Sequence, residues 1–213
     1  MKLKRVTRIL WILCLVAFTL GRPAMAYEEA PYRTIEKYED FEIREYQSFI
    51  VAEVTVTEEF GKAGNSAFRI LFDYISGNNV PRKSITMTAP VSQKEVKGKK
   101  IEMTTPVLQA PLDSGRGEYR FSFVMPSDYT LENLPAPVNE KITIREVPGR
   151  LAAARKFSGG WSQNNFNDNK AVLMQSLAAE EIKIIGEPEY ARYNSPFTLW
   201  FLRRNEVIVD IEK

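Results

Sequence analysis

Residues 41–77 read FEIREYQSFIVAEVTVTEEFGKAGNSAFRILFDYISG, and this stretch decides the fold. Its first part alternates. Phe41 and Ile43, then after a slip at Tyr46, Ile50, Ala52, Val54 and Val56, fall on every second position, as in one bent strand or two short ones with one face buried. Glu58 and Glu59 then suit the positive end of a helix dipole, and the spacing changes to the helical period from Phe60 until Gly77 offers a stop. On a wheel turning 100° per residue, Phe60, Ala63, Ala67, Ile70, Leu71 and Tyr74 share the core face, while Lys62, Ser66, Arg69 and Asp73 share the wet one. Phe68, Phe72 and Ile75 flank the core face and widen the apolar arc to about 200°, roughly twice what packing on one sheet requires. Something besides the sheet is expected to cover them: a loop, or a flat apolar ligand.

The same order of elements recurs downstream. Ile43-Arg44-Glu45 reappears as Ile144-Arg145-Glu146, and each copy is followed by a strand, a helix and further strands. The second helix spans 164–179, and its Asn-rich start at 163–169 reads as a capping region. Strands are expected at 119–125, which alternates strictly, and at 84–91, 100–108, 141–146, 150–157, 182–185, 189–194, 198–202 and 207–211. Two strand-helix-strand-strand halves facing each other form one sheet or barrel with two helices on it, and neither half has core enough to stand alone. The expectation is an α+β fold with residues 27–213 as one domain.

A shorter repeat is sharper. Residues 85–91 (ITMTAPV) recur as 101–107 (IEMTTPV), and proline ends each copy because it cannot donate to a ladder. Met87 and Met103 hold matching positions. They read either as gap-fillers in a core hairpin or as a soft apolar wall of a ligand groove.

Composition excludes several chemistries. The 213 residues contain no His and a single Cys, which rules out a Ser-His-Asp triad, a Cys-His dyad, a Cys/His zinc site, a His-ligated haem iron and any internal disulfide. Residues 1–26 read as a secretory signal: Lys2, Lys4, Arg5 and Arg8, then an apolar run at 9–20, then Ala24-Met25-Ala26 before the expected cleavage. Twelve apolar residues fall short of the ~20 that span a bilayer, so no stable membrane span is expected after cleavage. Its removal takes away five basic residues and no acidic ones, leaving 24 basic against 27 acidic and a net charge of −3. That balance speaks against nucleic acid as a partner. The protein is expected to be exported, to the periplasm in a Gram-negative host. The sequence carries no oligomer signal.

The paired I-x-M-T-x-P-V segments, the strand at 119–126 (YRFSFVMP), the Pro-rich loop after it and Arg203-Arg204-Asn205-Glu206-Val207 together resemble the SOUL haem-binding protein family from about Tyr32 to Ile211. The resemblance implies a distorted antiparallel β-barrel built from two pseudo-symmetric halves with two helices. It also implies non-covalent binding of haem or another tetrapyrrole in an apolar groove beside the first helix, for transport, buffering or sensing. Phe68, Phe72 and Ile75 would line that groove, with Met87 and Met103 opposite. Lys62, Arg69 and Arg203 would meet the porphyrin carboxylates. Asp73, where some relatives carry a basic residue, would repel them. With no His or Cys to hold iron, weak or pentacoordinate ligation is expected, or a preference for the metal-free ring. Binding of another lipophile or of a protein partner stays open. Catalysis is the weaker alternative, because Glu45, Glu146 and Glu206 stand in no constellation and read as exposed ion-pair residues of strands.

Overall fold

In the computed structural model, the structure describes residues 28–81, 98–113 and 117–212. The expected signal segment and the 84–91 strand, with Met87, lie outside the described residues. The elements are strands β1 (Tyr32–Lys37), β2 (Glu42–Tyr46) and β3 (Phe49–Thr57), helix α1 (Phe60–Ile75), and strands β4 (Asn79–Val80), β5 (Val107–Asp113), β6 (Glu118–Val124), β7 (Ala136–Pro137), β8 (Thr143–Val147) and β9 (Arg150–Phe157). Helix α2 (Gln163–Ala179), β10 (Glu189–Arg192), a 3-10 turn (Trp200–Leu202) and β11 (Asn205–Asp210) follow. None of the described helices is long and apolar enough to cross a membrane.

Nine strands form one antiparallel sheet in the order β1-β2-β9-β11-β10-β5-β6-β3-β8. The centre is the β10–β5 pair. Outward from it on either side come the other strand of a hairpin-like pair (β11 or β6), then the strand that leads into a helix (β9 or β3), then a short first strand. Those first strands are exchanged. β2 pairs with β9 of the second half, and β8 pairs with β3 of the first. The expected barrel is therefore a curled sheet, with β1 and β8 as its outer strands among the described residues.

Alternation sorts the side chains. Ala52, Val54, Val56, Tyr119, Phe121 and Phe123 meet the α1 residues Ala63, Ala67, Leu71 and Tyr74 in one core cluster. Ala153, Val207 and Val209 meet the α2 residues Phe166, Leu173 and Leu177 in another. Residues one position out of step, among them Val51, Leu108, Val124, Ala152, Ala154, Ala191 and Ile208, fill the helix-free face. Phe60 joins the two helical cores, lying edge-on to Tyr119, Phe166 and Tyr190. Ser162 caps α2 by accepting from the Asn165 N–H, and the asparagines behind it fasten the first turn.

The strand expected at 182–185 shrinks to a single bridge from Ile184 to Ile211, and three other expectations fail for physical reasons. Residues 100–106 are not strand. Ile101 N–H donates to the Ile75 carbonyl, Asn79 binds Lys99 through both ends of its amide, and the Thr104 hydroxyl donates to the Val124 carbonyl. The segment is thus tied down by isolated backbone bonds and by side chains instead of a ladder. Gly98 packs so closely on Gly77 that a Cβ would land on the Gly77 carbonyl oxygen. Residues 198–202 form a turn in an exposed loop, because no part of the described fold lies over them. Glu206 is not an exposed strand glutamate: it and Arg44 are both fully buried.

Arg44 Nη1 and Nη2 donate to the two Glu206 carboxylate oxygens at 2.6 and 3.0 Å. Arg204 Nε and the Tyr193 hydroxyl supply two further bonds to the same carboxylate, at 2.9 and 2.8 Å. Glu42 takes Arg44 Nε at 2.6 Å, and the Tyr46 oxygen accepts from Nη1 at 3.0 Å. Burial alone would raise the Glu206 pKa, but the Arg44 bonds and charge, with Arg204 and Tyr193, outweigh it and hold the carboxyl below its ordinary value. Burial pushes the Tyr46 phenol up to about 12. Space for the pair comes from alanine: Ala152 stands opposite Arg44 in the ladder and Ala191 opposite Glu206.

Removing one partner of such a pair strands the other charge, so Glu206→Gln is expected to destabilise the fold by about 3–5 kcal/mol. Thermal melting at neutral pH reads the loss. Because the folded-state pKa is depressed, the stability Glu206 contributes is complete above its unfolded pKa, 4.5, and is lost as pH falls through the lower folded value. Acid titration of wild type should show this decline, and Glu206→Gln should lack that share of it.

Candidate functional site

Helix α1 carries more apolar surface than the sheet covers. Its buried face is Ala63, Ala67, Leu71, Tyr74 and Ile75. Phe68 and Phe72, one turn apart, stack with ring centroids 5.5 Å apart and planes 13° from parallel. Phe68 presents its other side to the Phe123 edge of the core, and Phe72 remains 46% exposed. The pair is a flat aromatic step along one border of the helix.

The expected site residues separate around it. Met103, four residues before β5, is half-buried at the margin of the same α1 core that Phe68 borders. Ile75 does not join the step. It is 3% exposed, turned into the core where residues 98–101 close over the helix end. Arg69 is exposed, one turn before Phe72, with no carboxylate partner among the described residues. Lys62 is paired with Glu59 at 3.1 Å in the first turn. Asp73, expected to repel an anion, accepts from the Asn78 amide at 2.6 Å.

Arg203 lies elsewhere. Its Nε and Nη2 donate to the Thr198 and Pro196 carbonyls, both at 2.8 Å, and its guanidinium lies 4.3 Å from the centre of the Trp161 ring. It braces a loop whose apolar side chains face water: Phe197 is 95% exposed, and Leu199, Trp200, Phe201 and Leu202 are more than half exposed. Trp161, whose Nε1 donates to Asn205 Oδ1 at 2.9 Å, also carries Arg192 at 5.3 Å. The sequence reading missed Arg192 altogether. The available signal was an arginine in phase with the core residue Tyr190 on a short strand, together with a glycine, Gly64, in mid-helix, where glycine costs about 1 kcal/mol relative to alanine.

The catalytic alternative gains no support from these residues. Glu206 is saturated by hydrogen bonds, Glu45 pairs with Arg33 at 2.7 Å, and a cleft of about 840 Å³ that Glu45 helps line is rimmed by this ion pair and by Arg150.

The relatives agree with this architecture. At 12% identity, the C-terminal domain of EcmrR superposes with a TM-score of 0.57 over 85% of this chain and 98% of its own. A hydrolase from Listeria innocua superposes at 10% identity with a TM-score of 0.50, over 84% and 94%. These two share the fold alone. Human heme-binding protein 2 is 26% identical over 176 residues, 78% of this chain and 79% of its own length. The pattern of the SOUL heme-binding proteins matches residues 27–99 and 91–210, which together span nearly all of the sequence after the expected signal. The chain belongs to the SOUL heme-binding protein family, a family of binding proteins, and heme or tetrapyrrole binding in general is what that membership supports.

Proposed function

We propose that the protein holds haem or a related tetrapyrrole, without a covalent bond, against the Phe68–Phe72 step of α1. One observation carries the reading: a stacked pair of rings, Phe68 packed on the core and Phe72 left 46% exposed, on a helix whose remaining apolar face is already satisfied. Covering an aromatic side chain is worth about 1.5–3 kcal/mol, and a flat macrocycle laid on Phe72 extends the existing stack. Met103 suits the opposite wall, and Arg69 suits a carboxylate at the rim. The chain offers a tetrapyrrole apolar packing and cations, but no His and, after signal removal, no Cys for its iron. A haem held here would supply redox or ligand-sensing chemistry, and the protein's part is to bind, orient and shield it. The role is binding, not turnover. Another flat lipophile is the second reading, favoured by the missing strong iron ligands.

Residues 27–213 act as one domain in this proposal. The signal at 1–26 sends it out of the cytoplasm, to the periplasm in a Gram-negative host. Intact mass of the exported protein should give a chain of 187 residues beginning at Tyr27. A chain retaining residues 1–26 would overturn the export reading.

Titration of the purified protein with hemin and with protoporphyrin IX, followed by Soret absorbance and Trp161 and Trp200 fluorescence, tests the site. Saturable one-to-one binding is expected, at least as tight for the metal-free ring, and weakened about tenfold or more by Phe72→Asp, which puts a charge on an apolar contact. Binding of neither ring sinks the tetrapyrrole reading. A bis-His Soret spectrum is incompatible with the sequence.

A further inference from the structure

At the seam between the two helices, where β10 meets β5, lies a cation without an anion. Arg192, the last residue of β10, is partly buried, and no carboxylate among the described residues pairs with it. Its one side-chain hydrogen bond among the described residues runs from Nη2 to Gln109 Oε1 at 2.5 Å. Its Nε is buried and unpartnered, and so is Nε2 of Gln109, a residue with no exposed surface. These are two orphaned donors and no acceptor. Burial pulls the guanidinium pKa down to about 10, the direction expected of a cation that lacks a counter-charge. The chain's other enclosed arginines differ: Arg44 faces Glu206, and Arg150 faces Glu189 and Asp210.

The surroundings aim Arg192 at α1. Its guanidinium carbon lies 5.3 Å from the centre of the Trp161 ring and 5.4 Å from that of Phe166. Nη1 reaches over Gly64 so closely that a Cβ there would stand 2.9 Å from it. Gly64, Phe68 and Phe72 follow one another at intervals of four, so they form one stripe along the helix. The stripe begins with a borrowed guanidinium and continues with two stacked rings. Arg203, on the same indole, adds a second positive group without a carboxylate partner among the described residues.

We propose that Arg192 is the carboxylate anchor of the α1 groove, receiving one acid group of a flat amphiphilic ligand whose apolar part covers Phe68 and Phe72. The inference rests on the groove reading above and adds its polar end. The second half of the chain thus supplies the charge that α1 lacks at Gly64. The ligand class is a planar apolar ring system bearing carboxylates.

Protoporphyrin IX and its dimethyl ester, titrated in the same dilute detergent, separate charge from packing. Wild type should favour the diacid by about tenfold or more, the scale of one charge-assisted contact. Arg192→Met should bring the diacid down to the affinity of the ester, leave ester binding unchanged, and leave the ligand-free melting temperature unchanged or higher, since no carboxylate depends on the arginine. Gly64→Ala, whose new methyl displaces Nη1 while keeping the charge, should lose the preference in the same direction. Retention of the diacid preference in Arg192→Met overturns the anchor while the groove stands. Equal weakening of both porphyrins with a lowered melting temperature makes Arg192 a structural brace and also overturns it. Failure of wild type to bind either porphyrin saturably removes the groove reading, and the anchor with it.

Discussion

A guanidinium and a carboxylate removed from water govern the centre of this fold. Arg44 enters from β2 and Glu206 from β11, with β9 running between their strands. Each charge needs the other, because an isolated buried ion is far costlier than a paired one. The need sets the residues around them. Alanines at 152 and 191 leave the volume, Tyr193 and Arg204 complete the carboxylate's bonds, and Glu42 and Tyr46 complete the guanidinium's. Register follows as well: a slip of one residue in β2 or β11 would turn one charge to the helix side and leave its partner alone.

Much of the scaffold was legible because periodicity reports which face is buried. β3 and β6 alternate cleanly, and Ala63, Ala67, Leu71 and Tyr74 follow the helical period because one sheet covers one face. Legibility stopped where burial depended on a segment distant in sequence. Ile75 was read as flanking because nothing local announces that residues 98–101 close over it. Glu206 sits in a strand buried on both faces, NEVIVD, where alternation loses its meaning, and its partner is 162 residues away. The run at 198–202 resembles a strand because an apolar run has the same composition whether covered or bare. Of the candidate site, the Phe68–Phe72 step was visible as surplus width of the apolar arc. Arg192 was invisible because its significance lies in a carboxylate it does not have.

The two arginine environments show how one residue type serves two purposes. Arg44 is saturated, so it stabilises and can do little else. Arg192 is held by a single amide oxygen between two aromatic rings, which leaves its charge unspent. Next to it, α1 gives up a side chain at Gly64 and keeps the outer ring of a stacked pair, Phe72, half in water. Two departures from the best-packed solution thus meet along one border of one helix.

The exchange of first strands bears on the order of assembly. As the chain emerges from the N-terminus, β3 can find β6 about 70 residues later, but β2 has only β1 beside it until β9 exists, with Glu42 waiting for Ala154. Arg44 has no counter-ion until Glu206 arrives, later still. Most sheet pairings therefore span large sequence separations, a topology that folds slowly and late. A partly synthesised chain can gather the α1 core, whose residues lie within 50–144, but the buried charge of Arg44 stays open until nearly the last strand is present.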